Sequence, residues 1–203
     1  TRSIVGSVRC VYETEGTVLL TETVQLDPMR NPYTTKERVE WEMERTIGAT
    51  KAIWLPRGLY RDYSSPGTRG HVDMVACFAG PAHVLLHWQE YPEHPDYALS
   101  RELEKLLLNE TDAKGRKLKV TRVPAPPILK DEHGFVDFSY INHLVVNGGV
   151  IACGFDHPEA DARAAQILSE VYGRPAVTVN ALEIFVRGGG IHCITQQQPK
   201  SKK

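Results

Sequence analysis

The sequence has no excess of either charge. Its 24 Lys and Arg stand against 25 Asp and Glu, a formal net charge of −1, which argues against nucleic-acid binding through a broadly basic surface. Long apolar runs are missing as well. The longest, such as residues 72–79, fall far short of the about 20 apolar residues that a bilayer-spanning helix needs. Cysteine is scarce, with Cys10, Cys77, Cys153 and Cys193. None forms a Cys-x-x-Cys pair, and the spacing does not describe the disulfide framework of a small secreted domain. With no signal-like leader in view, the expectation is a cytosolic, cytoplasmic chain with reduced thiols. The first residue is Thr1 rather than Met, so the chain is expected to be processed or to belong to something longer.

Disorder is excluded by what is present. Apolar residues make up 41% of the 203 and charged residues 24%, proportions of an ordinary globular protein. This length suits one large domain or two small ones.

The pattern of elements repeats. Residues 17–24 are β-rich. Thr34 and Glu37 have capping-box spacing, Val39, Met43 and Ile47 make one helical stripe, and Gly48 ends it. Residues 52–55 read as a strand stopped by Pro56. The same order returns with strands at 71–78 and 84–88 around Gly80-Pro81. A helix follows from Pro95-Asp96 with Leu99, Leu103, Leu106 and Leu107 on one face, then a strand at 118–123. It returns again with strands at 138–146 and 150–155 around Asn147-Gly148-Gly149. A helix with Ala164, Ile167, Leu168 and Val171 inward and a strand at 176–179 complete it. A last short strand is expected at 191–195. Three ββαβ modules are therefore predicted, at about 8–56, 71–123 and 138–180, within a single α/β domain over 1–199 and a solvated tail at 200–203. So small a module needs neighbours to complete its core, and the natural arrangement is a propeller-like ring with the first strands at its centre.

Two segments could carry chemistry. On a strand, His71 and Asp73 share a face, an acid/base and cation-binding pair, or else simply a solvated edge. Gly188-Gly189-Gly190 delivers His192 and Cys193 at a strand start. A thiolate there would be a nucleophile, and the alternative is a flexible turn before a buried, inert cysteine. Alternation places His192 on the face opposite Cys193. His71, Asp73, His192 and Cys193 include zinc donors but lack a compact ligand spacing, so no metal is expected. Asp161 and Glu159 read as solvated helix surface, and Cys10, Cys77 and Cys153 as strand fillers. Residues 125–127 read as a linker.

Longer stretches resemble one family. Trp54-Leu55-Pro56 with Gly58-Leu59, and Gly70-His71-Val72-Asp73, look like the first half of the agmatine deiminase signature. The runs Thr111-Asp112-Ala113-Lys114-Gly115-Arg116 and Ser139-Tyr140-Ile141-Asn142 resemble its middle. Residues 188–199 are similar to its C-terminal signature almost residue for residue. The resemblance implies a pseudosymmetric α/β propeller of five ββαβ modules, of which about three are present. It implies hydrolysis of agmatine to N-carbamoylputrescine and ammonia through an amidino-cysteine, with no cofactor. Cys193 matches the nucleophile, His71 the general acid/base, and Asp73 a carboxylate that grips the guanidinium. Gly190 and Trp54 fall at substrate-binding positions. The implied partner is the small molecule agmatine, not nucleic acid or membrane, and the chain could form a homodimer. Two family carboxylates, in Trp-x-Arg-Asp and Glu-Gly-Gly segments, are not found. Ile4 stands near where that Glu is expected. A deiminase of another arginine derivative and a non-catalytic guanidinium-binding remnant stay open beside the main reading.

Overall fold

The computed structural model describes residues 11–13, 15–64 and 67–196. The expectations placed on Ile4, Cys10, the start of the first module, residues 197–199 and the tail lie outside these residues.

Three modules of like topology follow one another. The first holds β1 (Val11–Glu13), β2 (Thr17–Thr21), the one-turn α1 (Glu22–Gln25), α2 (Lys36–Ile47) and β3 (Lys51–Leu55). The second holds β4 (Ala76–Gly80), β5 (His83–Trp88), α3 (Asp96–Asn109) and β6 (Lys119–Pro124). A small hairpin, β7 (Lys130–Asp131) and β8 (Gly134–Phe135), comes next. The third module holds β9 (Leu144–Val146), β10 (Gly149–Gly154), α4 (Pro158–Tyr172) and β11 (Ala176–Asn180), and the short α5 (Leu182–Phe185) follows. In each module the first two strands pair antiparallel and the middle strand pairs parallel with the last. A parallel pair needs a crossover, and the helix supplies it each time. The chain is thus a mixed α/β fold built from the predicted ββαβ repeat.

Burial along β2 alternates between two cores. Leu19 joins Ile53 and Leu55 in the large core, which continues through modules two and three by way of Leu85, Leu99, Ala152 and Leu168. Val18 and Leu20 point the other way, onto Val39, Met43 and Ala49 beneath α2. Helix α2 is capped by Thr35, whose side chain accepts from the Arg38 N–H at 3.3 Å. That is one residue later than the predicted Thr34, and Ile47 at the far end of the stripe is 40% exposed. In α3, Leu99, Leu103 and Leu107 are buried as expected.

Three predicted strands are corrected. Residues 71–75 are not extended. Val72–Met74 forms a 3-10 turn, and β4 begins only at Ala76. Residues 191–195 are not a strand either, because His192–Ile194 is another 3-10 turn. Of 138–146 only Leu144–Val146 pairs, and Ser139 to His143 form a buried connection. At 71–75 and 139–143 apolar alternation signals burial, and there the burial is of turns held by side-chain hydrogen bonds; at 191–195 only Ile191 is buried, and Asn142 holds the turn. Asp161 is also corrected. It is tied to the fold, accepting from Tyr140 Oη at 2.6 Å and Phe155 N at 3.1 Å.

Candidate active site

The His71 turn is built around a buried carboxylate. Asp62 accepts from Thr68 N (2.5 Å), Thr68 Oγ1 (2.5 Å), Gly70 N (2.7 Å) and His71 N (3.1 Å). Charge-assisted bonds to backbone N–H groups are strong, and this set folds residues 68–71 back on the 3-10 turn Arg61–Tyr63. Gly70 has a φ of 101°, and a Cβ there would lie 2.5 Å from Tyr63 Oη, so only glycine fits without strain. His71 follows, 4% exposed. Arg30 Nη1 donates to His71 Nε2 at 3.1 Å, while Arg30 Nη2 donates to the Thr68 carbonyl at 2.6 Å. Arg30 therefore bridges the histidine and its own loop.

The 3-10 turn that follows brings Asp73, 2% exposed, to the glycine-rich segment 119 residues later. His192 Nδ1 donates to Asp73 Oδ2 at 2.6 Å. Cys193 Sγ stands 3.7 Å from the same oxygen. The strand reading had sent His192 away from Cys193. In the observed turn it reaches Asp73, the carboxylate that Cys193 touches.

Asn142, fully buried, locks this segment in place. Its Nδ2 donates to Cys193 Sγ at 3.3 Å and to the Asp73 carbonyl at 3.1 Å. Its Oδ1 accepts from Cys193 N at 3.2 Å, and its carbonyl accepts from His192 N at 3.1 Å. Gly190 permits the approach. A Cβ at this residue would lie 2.5 Å from Asn142 Oδ1 and 2.7 Å from the Phe185 ring. Asn142 belongs to the Ser-Tyr-Ile-Asn run visible in the sequence, but nothing local assigned it a role. An amide following an apolar stretch was the available signal.

His71 and Cys193 line one cavity of about 630 Å³, with Arg30, Thr68, Gly189 and Ile194 around them. Trp54 does not border it. Its indole packs by the smaller core, donates to Glu40 Oε1 at 2.7 Å and lies beneath Lys36. Among the described residues no group of three or more His, Cys, Asp or Glu could hold a metal ion, and no helix is long and apolar enough to cross a membrane. The other described thiols lie in apolar surroundings. Burial pushes both Cys77 and Cys153 up to about 12. A thiol and an imidazole on one cavity, with a buried carboxylate 3.7 Å behind the thiol, form a set able to attack a planar cation and shuttle protons.

The fold and the cluster together define a mixed α/β protein with the groups for thiol chemistry. The chain belongs to the Porphyromonas-type peptidyl-arginine deiminase family, whose model matches residues 6–199. It is 53% identical over 189 residues to a Streptomyces coelicolor protein named "Putative agmatine deiminase", covering 92% of this chain and 56% of that one. It is 38% identical over 208 residues to the agmatine deiminase of Pseudomonas fluorescens, covering 93% and 55%. The solved agmatine deiminase of Enterococcus faecalis superposes with a TM-score of 0.82 at 35% identity, covering 91% of this chain and 54% of that one. The chain thus spans about half the length of the relatives it matches.

Proposed function

We propose that this chain is the catalytic-cysteine part of an agmatine deiminase. The observation that carries the reading is the placement of Cys193 Sγ 3.7 Å from Asp73 Oδ2, on the cavity that His71 also lines. In this reading the guanidinium of agmatine lies against Asp73, which pairs with its N–H groups. The Cys193 thiolate attacks the guanidinium carbon and forms a C–S bond. His71 protonates the departing nitrogen, the C–N bond breaks and ammonia leaves. His71 then takes a proton from water, whose oxygen attacks the amidino carbon. The C–S bond breaks, N-carbamoylputrescine forms and the thiolate returns. No redox step and no cofactor enter this route. Asn142 holds Cys193 at the attack position, and Gly190 keeps the wall beside it thin. Trp54 would have to act on substrate through its neighbours in module one.

The three modules are read as part of a larger pseudosymmetric ring, a propeller in which a single domain closes around the cavity. An agmatine-processing protein of this kind would work in the cytoplasm, as a homodimer, without nucleic acid or membrane. The chain alone is expected to turn over poorly. The two family carboxylates not found here would orient the guanidinium, and each such charged hydrogen bond is worth about 1.5–3 kcal/mol.

The test is ammonia and N-carbamoylputrescine release from agmatine, by residues 1–203 and by a longer natural form, with Cys193→Ala as the blank. Cys193-dependent release, even if confined to the longer form, supports the reading. Absence of release from both overturns it in favour of a guanidinium-binding remnant.

A further inference from the structure

A second cavity adjoins the first. It has a volume of about 450 Å³ and shares Gly67 and Gly188 with the Cys193 cavity. Its lining includes Phe135 and Phe185, the ring that Gly190 approaches, the basic residues Arg61 and His133, of which His133 faces Glu132 at 3.4 Å, and one carboxylate, Asp137. Asp137 is 6% exposed. Its side chain makes no hydrogen bond or ion pair with another described residue.

That is an unusual state for a buried carboxylate, because a charge withdrawn from water costs free energy unless it is paired. The neighbouring charges are already engaged. Arg61, on the same cavity, donates to Asp131 at 2.6 Å and to the Phe135 carbonyl at 3.4 Å. Asp62 is taken up by the Thr68–His71 turn. Burial, with Asp62 nearby, raises Asp137 to about 6, so at neutral pH it is mostly ionised and would gain from a cation. A carboxylate on a cavity that adjoins the nucleophile's through Gly67 and Gly188, with Phe135 and Phe185 in its lining, fits a ligand with a positive end and a methylene chain.

We propose that Asp137 seats a second cationic group of the substrate, an ammonium joined by a short methylene chain to the guanidinium held at Cys193. The proposal rests on the deiminase reading and deepens it, making Asp137 a specificity-determining residue. The chain of a four-carbon aminoalkylguanidine spans roughly 6–7 Å from guanidinium to ammonium. It would run past Gly188 and Phe185 from one cavity to the other.

The experiment compares kcat/KM for agmatine and for n-butylguanidine, which lacks the ammonium, in the full natural-length protein and its Asp137→Asn and Asp137→Glu variants. The wild type should prefer agmatine by roughly ten- to a hundredfold, the worth of one hydrogen bond to a charged group. Asp137→Asn should erase that preference and leave n-butylguanidine within about threefold. Asp137→Glu should retain it and favour a chain one methylene shorter. A wild type without the preference overturns the proposal and needs no variant to do so. So does an Asp137→Asn that keeps the preference, or one that loses both substrates equally. If n-butylguanidine and agmatine both fail to give Cys193-dependent product, the deiminase reading itself falls, an outcome distinct from guanidines reacting without discrimination.

Discussion

Two cysteines of this protein share one partner and differ in everything else. Cys153 donates from its Sγ to the Asn142 carbonyl at 3.1 Å, and Cys193 accepts at its Sγ from the Asn142 amide at 3.3 Å. Cys153 sits in β10, fully buried between β9 and β11 and among core residues. Burial pushes it up to about 12, so it stays a thiol. Cys193 sits on a 3-10 turn after three glycines, beside Asp73 and on the cavity that His71 also lines. The same side chain is filler in one place and a candidate nucleophile in the other. Backbone setting and access make the difference.

The sharpest way to break that contrast is to delete each thiol in turn. In the longer natural form, on the proposed deiminase reading, Cys193→Ala should lower turnover by several powers of ten and leave the melting temperature nearly unchanged. Cys153→Ala should do the reverse, costing about 1–2 kcal/mol in urea unfolding through a small cavity and a lost hydrogen bond, with turnover within about tenfold. Equal effects on activity would erase the distinction.

Removing the shared partner comes next. Asn142→Ala leaves the Asp73 carbonyl, Cys193 N and Cys193 Sγ without the bonds described above. Stability measured by urea unfolding should fall by about 2–4 kcal/mol. Turnover should fall well beyond what that loss explains.

The alkaline limb sharpens the contrast further. Cys77 and Cys153 lie at about 12 in the folded chain against an ordinary 9. Because the folded state holds these protons more tightly, their contribution is fully present below about pH 9 and is lost as the pH climbs towards 12. Tyr140 and Tyr172, also raised chiefly by burial, act in the same direction. Unfolding free energy should drop by roughly 1–2 kcal/mol per thiol between pH 9 and 10.5, and Cys153→Ala should flatten that drop.

The smallest effect is a matter of order. At pH 7.5, iodoacetamide followed by peptide mapping should label Cys193 first, with Cys77 and Cys153 at least tenfold slower because both are held as thiols by burial. Faster labelling of either would place the accessible thiol outside the cavity.

Much of the architecture was legible locally. The period-two and period-3.6 patterns located β5, β6, β10, β11, α3 and α4 within a residue or two, since each strand and helix buries a face regardless of its neighbours. The same signal misled at His71 and at Ile191. Those stretches alternate like strands, yet the Asp62 carboxylate bends one and the backbone and side chain of Asn142 bend the other. Trp54 shows another limit. Its motif sits beside those of the site, but alternation along β3 turns the indole to the smaller core.

The sequence by itself determined the repeat and the topology of each module, and it singled out Cys193, His71 and Asp73 as candidates, because patterning and short motifs act over a few residues. Tertiary structure alone decided that His192 reaches Asp73, that Arg30 bridges to His71, that Asn142 grips a cysteine 51 residues away, and that Asp137 faces a cavity. Each of these depends on where distant turns come to rest, and that is set by the packing of the shared core rather than by any local preference of the chain.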